Sequence, residues 1–359
     1  MTDIVKRRSI VFYTNAQKPE LITTDLDLNS CYKPEEIVVK IHYAAFNPID
    51  YILYKIASSW VAKKTFAKTF GRDFIGEVVK VGKNVPADQF SVGDKVAGLF
   101  QHLFGESGTM SDYLIFDPKA HKSIAKIDSG KVPISPENGA WPLVFGTSYQ
   151  ALTSFELKKD VDWAQKDKRV LIVGASTATG IMAVQIAKNE LGAAVVDGIC
   201  SAASFERNKE YGFDTLFDYK TGNVTQDLID HVAKTGIKYD VIYDCCGNSY
   251  FFNCMDQVLK PKNENSYYVS IAGDSKINYA NPAFPSIVGT VKKWFIRSYT
   301  YHQLLLVPNA DVARVGIKMI TEKKLSVPVD TVYSPEDFEK AFDKLISAKA
   351  KGKVVVSFS

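Results

Sequence analysis

The stretch from Arg169 to Gly180 constrains this chain more than any other. Arg169-Val-Leu-Ile-Val173 is a compact apolar run, Gly174-Ala-Ser-Thr-Ala-Thr-Gly180 follows it, and Ile181–Leu191 sets Ala183, Ile186 and Ala187 at helical spacing. A buried strand that enters a helix through a glycine-bounded turn belongs to a parallel sheet, where the helix carries the chain back to start the next strand. The alternation then repeats: Ala193–Cys200 reads as a strand, Phe205–Tyr211 as a helix, Leu216–Asp218 as a strand, Val224–Lys234 as a helix and Asp240–Asp244 as a buried strand. This spacing predicts an α/β, doubly wound parallel sheet with right-handed crossovers.

The segments on either side have another texture. Ser9–Tyr13, Glu36–Tyr43 and Gly76–Val81 are short β-branched runs, and Gly71, Gly76, Gly82, Gly93 and Gly98 punctuate them, which predicts a twisted, barrel-like sheet. The tail predicts helices over Asp311–Glu322 and Pro335–Ala348 and a closing strand over Lys353–Phe358. Asn281–Pro308 reads as loop with a helix around Val288–Tyr299. A chain of 359 residues suits about two domains.

Composition removes several classes of function. With 44 Lys+Arg against 40 Asp+Glu the formal charge is +4, spread along the chain, so no nucleic-acid partner is expected. No apolar run approaches the roughly 20 residues that span a bilayer, and no apolar stretch follows the basic residues Lys6, Arg7 and Arg8 as a secretory leader would require. Five cysteines without a CxxC pair and five scattered histidines predict free thiols, a cytoplasmic location and no locally encoded zinc site. The pair Cys245-Cys246 reads as small buried side chains rather than a redox couple.

A glycine-bounded turn between strand and helix offers backbone N–H groups and the positive end of a helix dipole to a pyrophosphate. Here Gly174 and Gly180 are present, but Thr177 and Ala178 stand between them, and a β-branched residue crowds close phosphate approach. On its own this loop suits a structural turn as well as a dinucleotide site.

Other motifs accompany it in order along the chain. Asn47-Pro-Ile-Asp50, Gly71-Arg-Asp-Phe-Ile-Gly76, Ser91-Val-Gly-Asp-Lys-Val-Ala-Gly98, Pro142–Leu152, Tyr239–Gly247 and Lys351-Gly-Lys-Val-Val-Val356 resemble the medium-chain dehydrogenase/reductase superfamily, in its zinc-free quinone-reductase-like branch. Gly198-Ile-Cys-Ser201, Glu206-Arg-Asn-Lys209 and Tyr268-Val-Ser-Ile-Ala-Gly273 look like a fungal subgroup of that branch, associated with lipid droplets or mitochondria. The resemblance implies a GroES-like catalytic domain over 1–150 and 304–359, a Rossmann domain over 151–303, and a homodimer as a frequent assembly.

The resemblance also fixes expectations for chemistry. Zinc enzymes of the superfamily carry a Cys in the place of Asn47 and a His-Glu pair in the place of Arg72-Asp73, so no metal is expected, and alcohol oxidation loses its Lewis acid. Hydride delivery to an already electrophilic partner remains, which quinones and activated alkenes or carbonyls supply. The second Rossmann strand ends in Ile199-Cys200-Ser201 without an acid, so the cofactor expected is NADPH rather than NADH, with Ser201, Ser204, Arg207 and Tyr219 as candidate partners of its 2′-phosphate. By resemblance Asn47 and Thr147 sit beside the nicotinamide, Gly174, Thr177, Ala178, Thr179 and Gly180 form the pyrophosphate loop, and Ala272 with Gly273 borders the carboxamide. Asn47 before Pro48 also suits a plain turn, and Thr147 a helix cap. Tyr51 and Tyr54 are candidate hydrogen-bond donors to substrate, and both also suit packing. Two readings of function follow: a zinc-independent, NADPH-dependent reductase of small electrophiles, or a fold relative acting as a binding or trafficking factor at membranes or lipid droplets.

Overall fold

The computed structural model describes residues 3–58, 66–102, 107–128, 130–153, 161–165, 167–247, 250–273, 276 and 299–359. The expected helix at 288–299 falls, up to residue 298, outside them. The chain forms two units, Met1–Leu143 with Val307–Ser359, and Val144–Leu306. The division falls at 143/144 and 306/307, whereas the sequence reading puts it at 150/151 and 303/304. The helix Pro142–Thr153 spans the first junction, and the amide of Leu143 in its first turn donates to Asp73 Oδ1 at 2.7 Å, which ties that end to the first unit.

The second unit is a six-stranded sheet in the order Leu216–Asp218, Val195–Cys200, Arg169–Val173, Val241–Asp244, Tyr267–Ser270, Thr300–Gln303, with every neighbouring pair parallel. Arg169–Val173 and Val241–Asp244 are buried at every position, as strands covered on both faces must be. Leu171, Val173, Ile199, Leu228, Ile242 and Tyr268 belong to one core cluster. The helix after the glycine loop runs Ala178–Ile186 and continues as a π-turn over Ala187–Leu191, ended by Gly192 in the left-handed region. Its start lies three residues before the expected Ile181, because Thr177 caps it from within the loop.

The first unit is β-rich, as its glycine-punctuated strands predict. A three-stranded antiparallel sheet is centred on Ile4–Phe12. A seven-stranded sheet runs Val329–Tyr333, Lys353–Ser357, Ile37–Phe46, Asp73–Val81, Lys95–Leu99, Ile124–Lys126, with Tyr113–Phe116 also on Ile37–Phe46. Two registers of this sheet matter for the site. Val354 pairs antiparallel with Phe46, and Ala45 pairs with Asp73. They bring Lys353 and Asp73 against Asn47, the residue that follows the strand Ile37–Phe46 and precedes the helix Pro48–Ile56.

Candidate functional site

In the second unit the strand order reverses at Arg169–Val173, whose neighbours are the next strand in the chain on one side and Val241–Asp244 on the other. Ligands of open α/β sheets bind beyond the carboxyl ends of the strands at such a point. Gly174 occupies it with φ +91°, and a side chain there would lie 2.5 Å from Cys246 Sγ. The amides of Gly174 and Ala175 both donate to the Ile199 carbonyl, at 3.0 and 2.9 Å, and Cys245 N donates to the Val173 carbonyl at 3.0 Å, so the loop is held from both neighbouring strands.

Thr177 decides how the loop enters its helix. Its backbone is extended (φ −73°, ψ 156°), which any residue adopts, so a glycine is not required there. Its hydroxyl donates to the Gly174 carbonyl at 2.7 Å and accepts from Gly180 N at 2.9 Å. That amide is therefore already used by the cap, while among the described residues the amides of Ala178 and Thr179 meet no acceptor and stand free for an anion. Gly180 serves packing: a Cβ on it would lie 2.3 Å from the Gly174 carbonyl oxygen. Thr177→Ala is expected to lower stability by about 1 kcal/mol through loss of the cap. The same change releases the Gly180 amide, so binding of a phosphate-bearing ligand is expected to be no weaker. Thermal melts with and without NADPH check both signs.

The other expected residues of this unit follow the same strand ends. Cys200 pairs with Asp218, which sets Ser201 and Tyr219 on adjacent exits, with Ser204 and Arg207 in the short helical segments that follow Ser201. Gly273 has φ +78°, and Ser270 Oγ ties the turn by donating to the Gly273 carbonyl and accepting from Ala272 N. Thr147 is buried on Pro142–Thr153, whose next residue, Ser148, shares its hydroxyl between the carbonyls of Val144 and Thr179 at 2.9 and 2.8 Å. Ser148 thus pins that helix to the loop.

Sequence reasoning passed over Asn208 and Asp244. Asn208 is fully buried and donates to Ser176 Oγ at 2.9 Å and Cys200 Sγ at 3.3 Å, joining the loop to the end of the second strand. Asp244 accepts from the amides of Cys246 and Gly247 and from the Tyr268 hydroxyl. The spacing Asp244-Cys-Cys-Gly247 carries an Asx-turn signal that points to it. Burial and the neighbouring Asp244 push the Cys246 thiol up to about 12, so it is held as thiol rather than as the nucleophilic thiolate.

The first unit holds a buried charge network around Asn47. Lys353 Nζ donates to Asn47 Oδ1 at 2.5 Å and to Asp73 Oδ2 at 2.8 Å, and Asn47 Nδ2 donates to the same Asp73 oxygen at 2.9 Å. Asp50 Oδ2 accepts from Asn47 N, and its Oδ1 pairs with Arg72 at 2.5 Å. Arg72 also donates to the His102 carbonyl. All four charged side chains are at most 5% exposed, and two acids against two bases leave the cluster neutral. Burial raises the Asp50 carboxyl, and Arg72 opposes that rise. Asn47 is held within this network, with both ends of its amide engaged. Tyr54 donates its hydroxyl to the Gln17 carbonyl at 2.9 Å, and burial raises its pKa, so that phenol is committed. Tyr51 packs edge-on against Phe342 at 5.6 Å.

His102 gives the network a pH signature. Burial, then Arg72, lower its pKa from 6.5 to about 3, and among the described residues its buried Nδ1 meets no partner. Between those values the unfolded chain binds a proton that the folded chain refuses. Stability is therefore fully present above pH 6.5 and falls by about 1.4 kcal/mol per unit on acidification toward 3. In urea titrations His102→Gln is expected to lose that part of the slope, and equal slopes for both proteins would contradict the assignment.

Residues 33–128 match the alcohol dehydrogenase GroES-like domain, and residues 211–356 match a zinc-binding dehydrogenase domain. The chain is 46% identical to protein YIM1-2 of Lachancea thermotolerans over the whole of both chains, and 37% identical to protein YIM1 of Saccharomyces cerevisiae over 99% of this chain and 98% of that one. The chain belongs to the medium-chain dehydrogenase/reductase superfamily, in a fungal branch with the YIM1 proteins. Among solved structures of the superfamily's fold, the quinone oxidoreductase from Coxiella burnetii superposes with a TM-score of 0.76 at 20% identity, covering 99% of this chain and 100% of that one. The CurK enoyl reductase gives 0.74 at 20% identity, covering 98% of this chain. Zinc does not fit the residues around Asn47. An ammonium, a guanidinium and an amide stand around Asp73 and Asp50, and fixed cations repel a dication. Among the described residues no helix is long and apolar enough to cross a membrane.

Proposed function

We propose that this protein is a metal-independent reductase that transfers a hydride from NADPH to a quinone or another conjugated carbonyl or alkene. The observation that carries this reading is the loop at the strand-order reversal, where Gly174 turns the chain and the free amides of Ala178 and Thr179 open a helix. Such amides hold a pyrophosphate through charge-assisted hydrogen bonds. The choice of NADPH rests on the end of Val195–Cys200, where Cys200-Ser201 leaves no acid to repel a 2′-phosphate and Arg207 follows within two turns.

NADPH, when bound, would supply the electron pair as hydride, and an acceptor of this class takes the one balancing proton from water. The chain's own part is to bind and orient. Ser148 fixes the helix bearing Thr147 to the loop, Asn208 fixes the loop to the second strand, and the Asn47 network gives the first unit a rigid, neutral centre without metal. The Lys353 ammonium, hydrogen-bonded at two acceptors, disfavours zinc-assisted alcohol oxidation in its place.

The test is consumption of NADPH by purified protein with a panel of quinones, enones and aldehydes. Quinone- or enone-dependent oxidation, with aldehydes and alcohols inert and chelators without effect, is the expected result. Cofactor binding without turnover of any electrophile would instead favour a binding factor that has kept the fold.

A further inference from the structure

A concave site lies wholly within the first unit, and no residue of it belongs to the unit that carries the glycine loop. Its volume is about 480 Å³, inside the range of small-ligand pockets. Three separated parts of the chain converge on it: residues 88–90, residues 118–126 and the start of the helix Ala310–Thr321. The helix is fastened there by Asn309 N, which donates to Ser123 Oγ at 2.7 Å, so the walls are set by tertiary bonds rather than by loop conformation.

The chemistry of the lining is uneven. Phe90, Pro118, Ile124 and Ala310 supply an apolar floor, and Lys126 Nζ stands 5.9 Å from the centre of the Phe90 ring. Lys126 is paired with Asp94 at 2.8 Å, and Arg314 with Asp311. Lys119 and Lys122 are exposed at the rim, and among the described residues no carboxylate pairs with either. Asp88 is the one acid in the described lining. Two unpaired ammonium groups above an apolar, aromatic floor match a dianion attached to a flat apolar body. Ammonium groups suit phosphate as compact point charges.

We propose that this groove binds an organic phosphate monoester, with the phosphate at Lys119 and Lys122 and its apolar group on the floor that Pro118, Ile124 and Ala310 share with Phe90. The ester's source is either a small soluble metabolite or the exposed headgroup of a phosphate-ended lipid, and the probes separate the two. Phenyl phosphate, inorganic phosphate and vesicles with and without phosphatidic acid are titrated into the full chain, with backbone amide resonances followed. Lys119→Glu/Lys122→Glu is titrated in parallel. Its changes lie on the exposed rim, away from the glycine loop and the Asn47 network.

Saturable phenyl phosphate binding that moves the amides of residues 88–90, 118–126 and 310–314, is tighter than that of inorganic phosphate, and weakens at least about tenfold in the double variant, supports the proposal with a soluble ligand. Binding only to phosphatidic acid vesicles, lost in the same variant, supports it with a lipid source. Absence of binding by all probes into the millimolar range, equal binding by both proteins, or inorganic phosphate matching phenyl phosphate overturns it.

Discussion

Lys353→Met is expected to destabilise the unit Met1–Leu143 with Val307–Ser359 by about 3–5 kcal/mol, the largest loss from any single change considered. The side chain is 4% exposed and its ammonium serves two acceptors, Asn47 Oδ1 and Asp73 Oδ2. Methionine fills much of the volume but leaves a buried carboxylate without its cation and a buried amide oxygen without its donor. Asp73 keeps Asn47 Nδ2 and the Leu143 amide, which together do not neutralise its charge. Adding Asp73→Asn removes the stranded charge, so the double variant is expected to lose less than the sum of the two single changes, by about 1–3 kcal/mol. Urea unfolding of the four proteins measures this directly. A Lys353→Met variant within about 0.5 kcal/mol of the parent would mean that the pair is not buried as described.

Gly180→Ala is expected to weaken NADPH binding by at least about a hundredfold. Its Cβ meets the Gly174 carbonyl oxygen at 2.3 Å and the Ala175 Cα at 3.1 Å, both backbone atoms with no side chain able to yield. The loop or the first turn of Ala178–Ile186 must therefore move, and the free amides of Ala178 and Thr179 move with it. Each amide-to-phosphate bond contributes about 1.5–3 kcal/mol, and a hundredfold corresponds to about 2.7 kcal/mol, so losing alignment of both suffices. Overpacking also costs about 1–3 kcal/mol of stability. Calorimetric titration of a variant shown by circular dichroism to be folded separates the two losses. Undiminished affinity would place the phosphates elsewhere.

Much of the second unit was legible because its information is local. Arg169–Val173 and Leu216–Asp218 stand where their apolar runs end, and the glycine loop sits between strand and helix. The helix start was misplaced because its cap is a threonine inside the loop, where the family pattern has glycine. The first unit was harder. Glu20–Asp27 carries polar residues on a half-exposed strand and is defined by pairing with Ile4–Phe12 rather than by its own apolar pattern. The Asn47 network was legible in its first half only. The motifs contain Asn47, Arg72, Asp73 and Lys353, but nothing local pairs Lys353 with Asn47, 306 positions away, which it meets through the antiparallel register of the last strand. Asn208 escaped notice because a buried amide inside a charged helical run, Phe-Glu-Arg-Asn-Lys, looks like solvated surface.

The central claim is that the second unit binds NADPH, and the most direct measurement is thermal stability of the purified chain against increasing NADPH and NADH. A ligand that binds only the folded state adds about 2.7 kcal/mol when present at 100 times its dissociation constant. The account predicts a melting temperature that climbs with NADPH concentration, with NADH producing the same effect only at higher concentration. No stabilisation by either nucleotide into the millimolar range would contradict cofactor binding, and a clear preference for NADH would contradict the assignment of Ser201, Ser204, Arg207 and Tyr219.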